Sequence, residues 1–255
     1  KFIITRRNDI MALPKIDAPT YELTLPSTDL KVKFRPFLVK EEKILLIAME
    51  TGKENEIYEA TKQIVDSCTF NTLEVESLPM FDLEFIFLNI RARSVGEISK
   101  FKVICPDDKK TYADVEVDLT KVEVQVDDEH TNTIIVDEKR KLGVVLKYPT
   151  MSILKSGTNI DSASMDTIFN MLTTCVEHIF EGEKIYPAKD STQEEIKEFF
   201  EGLSQESFTK VKNFFDTMPR VRHEIEVTNP VTKVKSKVTL QGLNDFFESA
   251  SPIIA

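Results

Sequence analysis

Between Pro79 and Arg93 the chain reads Pro-Met-Phe-Asp-Leu-Glu-Phe-Ile-Phe-Leu-Asn-Ile-Arg-Ala-Arg, and no helical wheel gathers its apolar residues into one stripe. Local signals mark the segment as a helix: Ser77 is placed to cap it, Pro79 falls in the first turn, Asp82 and Glu84 come early, Arg91 and Arg93 late, and Gly96 follows. A helix that is apolar nearly all round must be covered on most sides, by its own chain or by a partner. We therefore expect Phe85 and Leu88 to be buried within the chain, with neighbours such as Phe87 turned toward a partner or a second domain.

The hydrophobic period before and after this helix sets the fold class. Tyr21–Leu25 and Lys31–Arg35 alternate on either side of the turn Pro26-Ser27-Thr28-Asp29, which predicts a hairpin. Ile44, Leu45, Ala48 and Met49 recur at helical spacing before Gly52, and a second helix covers Glu54–Cys68. After Gly96 the period becomes twofold: 97–104, 112–119, 122–126, 133–136 and 143–146 read as short strands of one small antiparallel sheet. The turn-rich Cys105-Pro-Asp-Asp-Lys-Lys110 joins two of them, its carboxylates serving the turn.

Helical spacing returns from Met165 through Ile179 and stops at Gly182, followed by a strand at Ile185-Tyr186. Ser191-Thr-Gln-Glu194 has the form of a capping box ahead of Ile196, Phe199 and Phe200, and Ser204 precedes another face at Phe208, Val211, Phe214 and Phe215. A hairpin over 223–227 and 234–240 and a short helix over 241–249 close the pattern. The class is α+β: an N-terminal hairpin with helices, a central small antiparallel sheet, and C-terminal helices with a β-hairpin. Three provisional regions follow, 11–96, 97–150 and 151–255, alternatively one compact unit. Met11-Ala-Leu-Pro makes a natural start, so residues 1–10 read as an upstream extension and carry no functional weight.

Composition narrows the function classes. A net charge of −10 works against nucleic-acid binding, which draws affinity from clustered Lys and Arg. Seven glycines are too few for the phosphate-cradling loops of nucleotide sites. No apolar run reaches the roughly 18–20 residues that span a bilayer, and Lys1–Arg7 lacks the length of a signal peptide, so a soluble intracellular protein is expected. Cys68, Cys105 and Cys175 stand far apart with no CxxC, which is neither a disulfide framework nor a zinc pattern and fits a reducing compartment.

No grouping of nucleophile, base or ligands has spacing suited to catalysis. His130, His178 and His223 fall in a charged loop, a helix and a strand edge; Cys175 lies on an apolar helical face. Asp127-Asp-Glu129 and Asp107-Asp108 lack a calcium-loop framework and read as solvated turns. The expectation is no catalytic residue, no metal ligand and no cofactor. Seventeen Phe against no Trp point to packing, and the paired rings near the C-terminus offer partner anchors: Phe246 and Phe247 are the candidates, with Phe87 from the long helix.

Two segments carry a likeness. Lys33-Phe-Arg-Pro-Phe-Leu-Val-Lys-Glu-Glu-Lys43 and Phe81-Asp-Leu-Glu-Phe-Ile-Phe-Leu-Asn-Ile-Arg-Ala-Arg-Ser-Val-Gly-Glu97, with Leu13-Pro-Lys15 and the closing Leu240-Gln-Gly-Leu-Asn-Asp-Phe-Phe247, resemble the T4-like phage baseplate hub assembly proteins over most of the chain from Met11. The resemblance implies a non-enzymatic assembly factor or structural subunit of the contractile tail's baseplate hub. It would act by contact with other hub or wedge proteins, in the host cytoplasm during assembly. Alternatives are a permanent virion component at the hub–wedge boundary and, further off, a tail-associated cell-wall hydrolase. Some relatives carry paired cysteines in the last hairpin, resembling a zinc knuckle. Thr228-Asn-Pro230 and Lys233–Lys237 offer no thiolate here, so no zinc site carries over.

Overall fold

The N-terminal hairpin pairs β1 (Tyr21–Thr24) with β2 (Lys31–Phe34), and its alternation turns Leu23, Val32 and Phe34 inward. The computed structural model describes residues 18–151 and 165–247. Beneath the hairpin lie α1 (Val39–Thr51), α2 (Glu54–Cys68) and α3 (Met80–Val95). Gly52 ends α1 at φ 64°, a left-handed conformation that costs glycine nothing. Ser77 does not cap α3 as expected: it closes a 3-10 turn over Val75–Ser77, its hydroxyl donating to Glu74 O at 2.8 Å. Leu78 is then extended, as a residue before proline prefers, and Pro79 takes the N-cap position.

The α+β class holds, but the five strands expected to form one sheet are divided among three. β3 (Ile98–Ile104) and β4 (Tyr112–Asp118) form a two-stranded ribbon. β5 (Glu123–Gln125) pairs with β10 (Arg220–Thr228), which pairs with β11 (Lys235–Gln241). The third sheet runs β6 (Thr133–Asp137), β7 (Leu142–Leu146), β8 (Val176–Glu181) and β9 (Lys184–Pro187), antiparallel throughout. Isolated pairs of short strands are marginal, and strands distant in sequence complete two of the three groups.

The helix expected to run to Gly182 stops sooner. α4 (Met165–Cys175) passes directly into β8 at Val176. Val176 and Ile179 suit a helical face, but both also face inward from a strand with a bulge between them, and ladders to β7 and β9 on either side favour the strand. α5 (Gln193–Glu201) is capped by Thr192 with Glu195, one residue later than expected, while α6 (Gln205–Thr217) is capped by Ser204 as expected. α7 (Gly242–Phe247) ends the described chain.

Three apolar cores result among the described residues. The first joins the hairpin to α1, α2 and α3 through Phe34, Leu45, Ile64, Val65, Ile86 and Phe87. The second fills the space between the inner face of the four-stranded sheet (Ile134, Val144, Leu146, Val176) and the helices α4, α5 and α6 (Leu172, Phe200, Val211, Phe214). The third sits between the β3–β4 ribbon and β5–β10–β11, around Leu88, Ala92 and Phe246. α3 thus serves both the first and the third, and its Phe81 meets Tyr148 edge-on at 5.1 Å, which stacks in turn on Phe214 of the second at 5.7 Å.

Candidate functional site

Of the proposed anchors, the two whose side chains are described, Phe87 and Phe246, are buried. Phe87 is fully buried in the first core, which corrects the expectation that it faces a partner; Leu88 is buried as expected, and Phe85 is half-buried where the first and third cores meet. Phe246 is fully buried in the third core, and its carbonyl accepts a 3.1 Å hydrogen bond from Arg91. The side chain of Phe247 lies outside the described residues. Glu84 Oε1 stands beside Gly242, 3.5 Å from where a Cβ would be, so α3 meets α7 with an acidic side chain at its start and a basic one at its end, as the helix dipole favours.

The first family-like segment builds a buried ion pair. Arg35 Nη2 donates to Glu41 Oε1 at 2.8 Å, with side-chain exposures of 13% and 3%. Ser67 of α2 donates to the same oxygen at 2.8 Å and accepts from Arg35 at 2.9 Å, while the Leu38 N–H donates to Glu41 Oε2 at 2.9 Å. Burial pushes the Glu41 carboxyl up, but the bonds from Arg35, Leu38, Ser67 and Lys40 outweigh it and hold the group at about 2. Arg35 also donates to Pro36 O at 2.9 Å. The hairpin, the start of α1 and the end of α2 are therefore fixed to one another at a single charged centre. A second buried carboxylate, Asp82, accepts from the N–H and hydroxyl of Ser27, joining α3 to the hairpin turn; burial raises its pKa.

His130 packs against the rings of both Tyr148 and Phe214, which also stack on each other. Asn132 donates to Leu146 O at 2.9 Å, which leaves its carbonyl to accept from the Tyr148 hydroxyl at 3.1 Å. The Tyr148 oxygen then accepts from His130 Nε2–H at 3.2 Å, and Nδ1 faces the Thr217 hydroxyl at 2.9 Å. Burial lowers the histidine's pKa, partly countered by Asp127 and Asn132. Among the described residues no carboxylate hydrogen-bonds the imidazole, so the chain of bonds links α6 to β7 and does not form an acid–base relay.

The two carboxylates in the β3–β4 turn divide their work. Asp108 accepts from the N–H groups of Lys110 and Thr111, both at 3.0 Å, and so serves the turn. Asp107 instead crosses to the tip of the β10–β11 hairpin, accepting from Asn229 Nδ2 at 3.0 and 3.1 Å and from Thr232 Oγ1 at 2.6 Å. Buried Asn229 shapes that tip by accepting from the N–H groups of Val231 and Thr232. The tip of the last hairpin is thus held by an amide and a hydroxyl bonded to a carboxylate.

All three cysteines are buried and free, and burial pushes the thiol of Cys68 up to about 11 and that of Cys175 to about 12. Among the described residues no three His, Cys, Asp or Glu side chains gather to hold a metal ion, and no helix is long and apolar enough to cross a membrane. The clusters found here couple secondary-structure elements to one another. No curated protein and no solved structure matches the chain. A family model described as T4 bacteriophage base plate protein matches residues 18–248, a span that takes in all three cores and every polar cluster above, and the chain belongs to that family.

Proposed function

We propose that this base plate protein acts at the baseplate hub as an assembly factor or structural subunit, through protein–protein contact and without covalent chemistry. The observation that carries the reading is the family match over residues 18–248. The use of the polar groups supports it. Arg35–Glu41, Ser27–Asp82, His130–Tyr148 and Asp107–Asn229 each join separate elements of the chain, so these polar groups serve its shape. A base plate protein contacts other base plate proteins, and for this chain the partners proposed are those of the hub or of the adjoining wedge.

The test is quantitative mass spectrometry of purified phage tails, baseplates and hub intermediates, together with loss of the gene. Recovery in hub intermediates, with hubs failing to form in its absence, is the expected result; constant stoichiometry in mature tails then makes it a subunit, and loss on maturation makes it a transient factor. Normal hubs in its absence, or cell-wall clearing by the purified chain in a zymogram, would overturn the reading.

A further inference from the structure

The outer face of the four-stranded sheet carries two aligned rows of uncharged side chains. Cross-strand register aligns Ile135, Gly143, Phe180 and Ile185 in one row and Thr133, Val145, His178 and Pro187 in the next. Neither row contains a charged carboxylate, lysine or arginine, in a chain with 30% charged residues. None of these side chains belongs to the three cores, which the opposite face serves with Ile134, Val144, Leu146 and Val176. Ile185 is 60% exposed and Ile135 38%. A half-solvated antiparallel sheet ordinarily alternates apolar inside with polar outside. The middle of the other ribbons follows that rule, with Lys100–Glu116 on β3–β4 and Lys235–Glu226 and Lys237–Glu224 on β10–β11, and on β3–β4 exposed apolar side chains stand only at the ends of the same face, at Ile98 and at the Ile104–Tyr112 pair.

We propose that this face docks an amphipathic helix of another base plate protein, apolar side down, with its acidic end beside Lys147 and Lys189. The proposal rests on the base plate reading above. Four strands about 4.8 Å apart and two rows about 7 Å apart make a patch on the order of 200–300 Å². A stable dimer needs about 800 Å² from each copy, so the face alone is too small to hold a second copy of this chain. It is the right size for one helix: about ten residues, rising about 1.5 Å each, cross the width of the sheet. The charge favours an acidic partner, because a shallow cleft at one end of the face, floored by Val176 and Ala188 at the rim of the second core, is lined by Lys147, His178, Ile185, Pro187 and Lys189, with Glu177 the one carboxylate among the described residues. Strand addition at the β9 edge fits less well, since that edge is short, starts at Lys184 and ends at Pro187.

The test places a photo-crosslinking phenylalanine at position 185 of the full chain, with position 100 on the charged β3–β4 face as control, and irradiates assembling baseplates in infected cells. The expected result is at least tenfold more adduct at 185 than at 100, mapped by peptide sequencing to an amphipathic segment with Asp or Glu at one end. A companion variant, Ile185→Glu, should lower incorporation into baseplates at least fivefold while the circular dichroism and melting curve stay unchanged. Adducts joining two copies of this chain, adducts on a basic or wholly polar segment, or equal yields at 185 and 100 would overturn the docking assignment. Those outcomes in a chain that still co-sediments with baseplates leave the base plate reading standing; failure to co-sediment would sink both.

Discussion

Glu41→Gln removes the charge at the centre that fixes hairpin, α1 and α2 while keeping the side chain's size. Glu41 lies at about 2 where an ordinary glutamate lies at 4.5, a gap that corresponds to about 3 kcal/mol of folding stability. Because the folded pKa is depressed, that contribution is fully present above pH 5 and is lost as pH falls through 4.5 toward 2; linkage leaves less than half of it at pH 3. An independent route gives a similar size, since removing one member of a buried ion pair strands the other and costs about 3–5 kcal/mol. Arg35 would be the stranded charge, at 13% exposure, with the neutral oxygens of Ser67, Pro36 and the new amide as acceptors in place of a carboxylate. Urea unfolding of both proteins, at pH 7 and at pH 3 with the slope unchanged, should therefore show a gap of about 3 kcal/mol that shrinks to half or less at the lower pH. The double replacement Arg35→Met with Glu41→Leu should recover most of the loss, because an apolar pair leaves no uncompensated charge. A loss below about 1 kcal/mol at pH 7, or one equal at both pH values, would refute the electrostatic account.

Three further outcomes follow from the packing. Phe87→Ala should destabilise the chain by about 3–5 kcal/mol in denaturant unfolding, and Phe85→Ala, from a half-buried site, by clearly less; the reverse order would show that the burial of the two rings is misassigned. Asp107→Ala should leave the fold intact but raise hydrogen exchange at the β10–β11 tip, at Val231 and Thr232 first. Because Asn229 and Thr232 hold the Asp107 carboxyl below its usual range, the wild-type link should persist at pH 4 and loosen only below it. Thiol labelling at pH 8 should modify Cys68 and Cys175 no faster than the chain unfolds, since burial keeps both thiols protonated; rapid labelling of either in the native protein would contradict its placement.

Features fixed by neighbours in sequence were legible, and those fixed by distant residues were not. The bounds of α2 at Glu54 and Cys68 and the cap at Ser204 follow from local signals and hold in the structure. The capping box slipped by one because Ser191 and Thr192 are adjacent, as are Glu194 and Glu195, and spacing alone gives both pairs the same merit. Strand pairing was lost because alternation says which face a residue takes but not which strand it meets: β5 finds β10 about a hundred residues on. Asp107 looked like a second turn residue beside Asp108, and its partner Asn229 lies 122 positions away. The Arg35–Glu41 pair left a readable trace, for Glu41 shares a helical face with the buried Leu45 and Ala48, and a carboxylate on an apolar stripe calls for a buried cation.

The helix that is apolar all round has an internal answer. Leu83, Ile86, Phe87 and Ile90 belong to the first core, Leu88 and Ala92 to the third, and Phe81 reaches the second through Tyr148. Where its wheel turns polar, Asp82 bonds Ser27, and Glu84 and Arg91 meet the two ends of α7. One helix in contact with three cores needs no partner to cover it, so excess hydrophobicity there says nothing about binding. The same measure applied to the four-stranded sheet gives a different result, because its inner residues already complete the second core and Phe180, Val145 and Ile185 remain on the other side. Apolar area left over after the cores are filled is what a contact surface needs, and among the described residues the outer face of the sheet carries such area in aligned rows while the phenylalanines of α3 do not.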